Sequence, residues 1–330
     1  MYGREYRNGR RRMAPFLAIS CITLLYGAKG YARPDMEPLG PNIADRGSAF
    51  YHFRVENFDS ADGKRHYKVW TGVPDKTPPA SGYPVLYMLD GNAVMDRLTE
   101  DLLKQLAEKT PPVIVAIGYQ THLPFDLNGR AYDYTPALEV KSGAEGRYRR
   151  PGGGSGDFRR LLETRIAPQT EQGINIDPER RGVWGHSYGG LFVLDSWLSS
   201  SFFQFYYSAS PSLGRDNSSL LTRLTTMDAA KNCHKRLFFM EGSASPGKNA
   251  QTPVSDILNK TRDAVSALQK DGLAVAWWNY PGLTHGPMFT ASFQSALLNM
   301  SAEETPGQRA AINRAVSEEG GGKPPLAITL

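Results

Sequence analysis

The sequence predicts an α/β fold, a mainly parallel central sheet with helices on both faces. Three observations carry this. Short apolar runs that read as strands alternate with longer stretches of helical periodicity. Two of the runs, residues 83–89 and 112–119, are almost continuously apolar, as strands buried on both faces are. A third run passes through Gly182-Val183-Trp184-Gly185-His186-Ser187-Tyr188-Gly189-Gly190, where a strand turns abruptly into a helix.

Taken in order, residues 50–55 and 66–73 alternate apolar and polar, the pattern of half-buried strands. A loop rich in proline and lysine leads to the strand at 83–89, which ends in Asp90-Gly91-Asn92. One amphipathic helix is expected next, with Val94, Leu98, Leu102 and Leu106 at four-residue intervals. The strand at 112–119 follows. Residues 120–156 then break the alternation: periodic apolar positions are few, aromatic residues are several, and Gly152-Gly153-Gly154 closes the stretch. This reads as an irregular insertion that is either functional or disordered. Asp157 is expected to cap a helix carrying Phe158, Leu161, Leu162 and Ile166. After the glycine-flanked turn, Leu191, Val193, Leu194, Trp197 and Leu198 mark its helix. Strands are expected at 203–208, 236–240 and 275–280, with a helix through Val254, Ile257, Leu258, Val265 and Leu268 and a closing helix at 287–300. No internal repeat is present.

Three regions follow: an export signal or membrane anchor over residues 1–32, a catalytic domain over 33–302 containing the 120–156 insertion, and a polar, glycine-rich tail over 303–330 that is expected to be disordered. The net charge of +5 belongs to the first region, in which six basic residues oppose one acid; the remainder balances at 32 of each sign. That balance argues against binding nucleic acid through a broad positive surface. Arg10-Arg11-Arg12, the apolar residues 13–28 and Gly30-Tyr31-Ala32 have the layout of a secretory leader, which places the protein in the periplasm. Once the leader is removed Cys233 is the only cysteine, so no disulfide can form within the chain, and the thiol reads as buried or inert.

G-x-S-x-G at Gly185, Ser187 and Gly189 is the pattern of a nucleophile elbow. A serine on a strained strand-to-helix turn is lifted clear of the sheet, and its near neighbours must be almost free of side chains. The turn aims the first helical amide, that of Tyr188, at the oxygen that becomes negative during acyl transfer. The serine needs a base. Of six histidines, only His285, in Thr284-His285-Gly286, lies just beyond the last expected strand, where sites in parallel sheets form. His186 reads as a packing residue, because neighbouring side chains at such a turn point apart. Glu241, after the penultimate strand, could orient the imidazole or could accept amides in its own turn; Asp195, on the elbow helix, points the wrong way. The second amide of an oxyanion hole is expected from Asp90-Gly91-Asn92, at Asn92, although these residues are also ordinary turn chemistry. Arg130, in the insertion, could hold a polar acyl group or phenolate by its fork, or be solvated or paired with Asp133. Arg147, Arg149, Arg150, Arg159 and Arg160 form either an anion-attracting patch or a wet face. No spacing for a metal or a phosphate loop is present, and no cofactor is expected.

The leader 10–21, residues 86–96, residues 184–194 and His285-Gly286-Pro287-Met288-Phe289 resemble the periplasmic trilactone-siderophore esterases, which are α/β-hydrolases of the esterase D type. Parts of 139–156 and the tail depart from that pattern. The resemblance implies an α/β-hydrolase fold and hydrolysis of the serine trilactone of enterobactin and of its C-glucosylated form, salmochelin. It implies a Ser187–His285 dyad without a placed acid, with Arg130 orienting a catecholate siderophore in its apo or ferric form. It also implies that the leader can stay attached as an inner-membrane anchor. A general carboxylesterase acting on small aryl or acyl esters would share every catalytic residue; an acyltransferase of similar fold and a siderophore-binding protein without activity are the other readings.

Overall fold

The computed structural model describes residues 34–137, 150–214, 217, 219–243 and 253–302, with the backbone alone for 253–255. The leader, the tail, Arg147 and Arg149 lie outside the described residues. None of the described helices is long and apolar enough to cross a membrane.

Eight strands form one sheet. They are β1 (Tyr51–Asp59), β2 (His66–Pro74), β3 (Tyr83–Met88), β4 (Val113–Tyr119), β5 (Ile176–His186), β6 (Phe205–Ala209), β7 (Arg236–Gly242) and β8 (Ala274–Tyr280), and their order across the sheet is β1-β2-β4-β3-β5-β6-β7-β8. β2 is antiparallel to both of its neighbours, and all the other pairings are parallel. All eight expected strands are present, with ends shifted by a few residues. β3 and β4 are buried along their whole length. Their side chains alternate between two cores: Val85, Tyr87 and Leu89 face one and Leu86 and Met88 the other.

The helices are α1 (Ile43–Arg46), α2 (Gly91–Arg97), α3 (Glu100–Ala107), α4 (Leu127–Tyr134), α5 (Ser155–Leu161), α6 (Ala167–Thr170), α7 (Tyr188–Ser199), α8 (Ser219–Thr226), α9 (Pro253–Lys270) and α10 (Met288–Ser301). α4, α5, α7, α8 and α9 contribute to the first core and α2, α3 and α10 to the second, so helices cover both faces as expected.

Three expectations change. The single helix after Asp90 is two: Leu98 is extended (φ −76°, ψ 123°), and Thr99 starts α3 by accepting from Leu102 N. The four-residue spacing survives the break because Val94, Leu98, Leu102 and Leu106 all reach the same core. The 120–156 stretch is not wholly irregular; it contains α4, capped by Asp126, whose side chain accepts from Gly129 N. Asp157 is not a cap, because α5 already begins at Ser155 and places Asp157 in its first turn; the chain then continues through a π-helical turn (Leu162–Ile166) into α6.

The chain leaves β3 toward β4 on one side and returns as β5 on the other. This is a topological switch point, where a crevice opens at the carboxyl ends of the strands. The β3–α2 turn is set tightly against β4. A Cβ on Gly91 would lie 2.6 Å from the Ile117 carbonyl carbon, and one on Gly118 only 2.1 Å from Asn92 Oδ1. With both side chains missing, the first turn of α2 can sit directly on the β4 backbone.

Candidate active site

Ser187 adopts φ 61°, ψ −112°, a region that L-residues rarely enter. The surroundings hold it there: Ser187 N donates to Ala209 O (2.9 Å), and Ser187 O accepts from Leu191 N (3.2 Å) and Ser212 N (3.3 Å). Backbone strain of this kind costs about 1–3 kcal/mol. Three net hydrogen bonds at roughly 0.5–1.5 kcal/mol each are enough to offset it. The two motif glycines are not equivalent. A Cβ on Gly185 would meet Gly189 O at 2.3 Å, whereas one on Gly189 would find its nearest neighbour, Leu89 Cδ1, at an ordinary 3.5 Å. The second constrained position is Gly190, where a Cβ would lie 2.9 Å from Ala209 O and 3.0 Å from Pro211 Cα.

His285, in the loop between β8 and α10, places Nε2 3.1 Å from Ser187 Oγ. The imidazole is half-buried, and its pKa is lowered by desolvation and secondarily by the Arg130 charge. It therefore rests neutral near pH 7, the form that accepts a proton. His186 does more than pack. Its ring lies 4.7 Å from the His285 ring, and its Nε2 is 2.8 Å from the His285 carbonyl oxygen. A carbonyl only accepts, so His186 Nε2 carries the proton and tethers the backbone that presents His285. Burial holds His186 well below the ordinary histidine pKa, with the neighbouring His285 adding to the effect.

Tyr188 and Asn92 open the two helices that meet at the switch point. Tyr188 is the first residue of α7 and Asn92 the second of α2, so neither amide has a carbonyl one turn back to donate to. The Asn92 side chain is committed elsewhere: Oδ1 accepts from Tyr119 N (2.8 Å), and Nδ2 donates to Tyr119 O (2.9 Å) and Thr121 O (3.2 Å). These bonds fix the helix start against β4.

Arg130 is not a free fork. Nε and Nη2 each donate over 2.8 Å to the two oxygens of Asp90, and Nη2 also reaches His186 O at 3.4 Å. The guanidinium lies among the rings of Phe125, Tyr134 and Tyr188, 5.4–5.6 Å from their centroids. Asp90 itself is left-handed (φ 53°), and its amide donates to the Tyr134 hydroxyl (3.0 Å). Two residues of α4 thus hold the turn that leads to Asn92. Breaking a buried ion pair by removing one partner costs about 3–5 kcal/mol, so the first task of Arg130 is structural. Asp133, one alternative partner for Arg130, instead accepts from Arg65, Tyr67 and Tyr119.

Glu241 accepts from the Ser210 hydroxyl, and burial pushes its pKa up to about 8. Asp195 faces away, bonded to Ser155, Arg159 and Arg223. Arg160 pairs with Asp157 and Arg150 donates to Asn128, so the described part of the arginine cluster is largely engaged. Cys233 is exposed. Sequence reasoning missed Ser212, whose Oγ lies 2.8 Å from Ser187 Oγ. A serine in Ser210-Pro211-Ser212 past β6 carries no motif; its position beyond a strand end was the only available signal. Among the described residues no cluster of histidine, cysteine and carboxylate side chains could hold a metal ion.

This arrangement can perform nucleophilic acyl transfer: a hydroxyl on a strained turn with a neutral imidazole in contact with it. Comparison with known proteins agrees with the chemistry. The esterase family described as "Putative esterase" matches residues 60–302. The chain is 62% identical over 305 residues to the Apo-salmochelin esterase of Escherichia coli O6:H1 strain CFT073, covering 92% of this chain and 96% of the relative. It is 30% identical over 241 residues to the Ferri-bacillibactin esterase BesA of Bacillus subtilis strain 168, covering 70% and 83%. A solved structure titled Enterobactin and Salmochelin Hydrolase IroE superposes with a TM-score of 0.71 at 61% identity, covering 80% of this chain and all of that one.

The pKa directions fix a sign for activity. Protonated His285 cannot accept the Ser187 proton, and its pKa lies below the ordinary 6.5. The acid limb of kcat/KM for a neutral aryl ester is expected to be centred below pH 6.5. A limb centred above pH 6.5 would contradict the burial argument.

Proposed function

Since the chain belongs to this esterase family and is an ester hydrolase, we propose that it opens the serine trilactone of enterobactin and of salmochelin through a Ser187–His285 acyl-enzyme mechanism. The observation that carries the reading is the 3.1 Å contact between His285 Nε2 and Ser187 Oγ on a strained, glycine-flanked turn. The names of the relatives supply the substrate class.

His285 Nε2 takes the Ser187 proton as Oγ attacks a seryl ester carbonyl. The amides of Asn92 and Tyr188 stabilise the oxyanion, and collapse expels the seryl alkoxide, which takes the proton from His285. The ring is now linear and esterified to Ser187. Water activated by His285 then releases the linear product. Arg130 orients the substrate through Nη1, the one terminal nitrogen not spent on Asp90, while its charge favours an anionic catecholate. The protein works in the periplasm, delivered by the leader and either released or held at the inner membrane by it. Osmotic-shock fractionation checks this: recovery in the cytoplasmic fraction would oppose it.

The test of function uses apo and ferric enterobactin and salmochelin with wild type, Ser187→Ala and His285→Ala, followed by product mass. Wild type is expected to yield ring-opened species one water heavier. Both variants are expected to lose at least ~10³-fold in rate, as residues that act as a unit do. Ring opening by Ser187→Ala at the wild-type rate, or no ring opening by wild type in either iron state, would overturn the reading.

A further inference from the structure

Ser187 Oγ carries one hydrogen but has two polar neighbours. His285 Nε2 stands at 3.1 Å and Ser212 Oγ at 2.8 Å. Two proton arrangements use the Ser187 hydrogen in one of these contacts. In one, His285 donates to Ser187 and Ser187 donates to Ser212; the imidazole then has its proton on the wrong nitrogen and cannot act as a base. In the other, Ser187 donates to His285, and the lone pair left over accepts from Ser212. Only the second can react, and it requires Ser212 to be the donor.

The loop that carries Ser212 is built to hold this position. Ser210 is left-handed (φ 39°), its amide donates to Met240 O (2.9 Å), and its hydroxyl is engaged by Glu241. Pro211 lies so close to Gly190 that no side chain fits between them. Ser212 N donates to Ser187 O, and Ser212 O accepts from Asn217 Nδ2 (3.2 Å). The two serines are thus tied through backbone and side chain, with the ends of β5 and β6 fixing the distance between them.

We propose that Ser212 is a catalytic residue, whose hydroxyl donates to Ser187 Oγ, so directing the Ser187 proton to His285, and stabilises the partial negative charge on Oγ while that proton departs and before the Oγ–C bond is complete. This rests on the reading of Ser187 and His285 given above. The balance is simple. The Ser187 proton passes to His285 Nε2, the Oγ–C bond forms, and the carbonyl π pair moves onto oxygen. Ser212 keeps its own proton throughout. When water breaks the acyl-enzyme, the same hydroxyl stabilises Ser187 Oγ as it departs. A hydrogen bond onto an ionised oxygen is about twice as strong as one onto a neutral oxygen, so the Ser212 bond strengthens while the proton passes from Ser187 to His285 and again as Oγ departs in deacylation.

A small organophosphofluoridate separates this role from substrate binding, because it reacts with the nucleophile while making few other contacts. Diisopropyl fluorophosphate is added to wild type, Ser212→Ala and Ser212→Thr. Intact mass follows the rate at which the phosphoryl group is gained and fluoride lost. Kcat and KM for p-nitrophenyl acetate are measured in parallel, with unfolding midpoints as a control on folding. Removing one donor to the carbonyl oxyanion costs about 10²–10³-fold in rate; a donor to the nucleophile, charged only while its proton departs, is expected to cost less. Ser212→Ala is expected to be phosphorylated about 10–100-fold more slowly and to lose a similar factor in kcat, with KM within about twofold of wild type. Ser212→Thr, which keeps the hydroxyl, is expected to recover most of both rates. Phosphorylation of Ser212→Ala at the wild-type rate overturns the proposal, as does a loss in Ser212→Thr equal to that in Ser212→Ala. Failure to label wild type at Ser187 removes the underlying reading of the nucleophile as well.

Discussion

The backbone of Ser187 is held where a serine does not rest unaided, at φ 61°, ψ −112°. The rest of the site is arranged to keep it there. Gly185 has no side chain because the Gly189 backbone fills that space, and Gly190 has none because Pro211 and Ala209 do. Hydrogen bonds from β6 and from the Ser212 amide close the turn. What this strain achieves is direction: the hydroxyl is presented to His285, in hydrogen-bonding contact with its Nε2.

A second constraint mirrors the first across the switch point. Asp90 is also left-handed, and it is held by Arg130 and Tyr134 of α4 while Asn92 is bonded to β4. Both turns rely on helix starts packed against neighbouring backbone with no side chain between. The insertion that carries α4 is therefore part of the catalytic framework. Its arginine can touch substrate only with the edge that Asp90 leaves exposed. Such a site gains rigidity from a buried ion pair at the expense of a freely moving fork.

Much of this was legible in the chain itself. Continuous apolar runs rich in valine, isoleucine and tyrosine mark β3 and β4, and the elbow motif with its following helix marks Ser187. His285 follows from its place after the last strand. The break at Leu98 was not legible, because every fourth residue remains apolar across it; the Thr99 cap was its only local sign. α4 was hidden by its glycine and its polar residues, which are used for tertiary bonds to Asp90 and to the Arg65–Tyr67–Tyr119 group. The Asp90–Arg130 pair spans 40 residues and the Ser187–Ser212 contact 25, distances at which sequence spacing carries no register. His186 was read as packing because neighbours at a turn diverge, yet the return of the β8–α10 loop brings the His285 carbonyl to its ring.

The central claim is a covalent one: the substrate passes through an ester on Ser187 Oγ. The direct measurement is rapid acid quench of the wild-type enzyme during turnover of enterobactin, followed by proteolysis and mass analysis of the peptide containing Ser187. The account predicts a transient mass increase equal to one opened trilactone, located on Ser187 and lost as linear product accumulates. A transient ester located on a different residue, or linear product formed by a Ser187→Ala enzyme at undiminished rate, would contradict it.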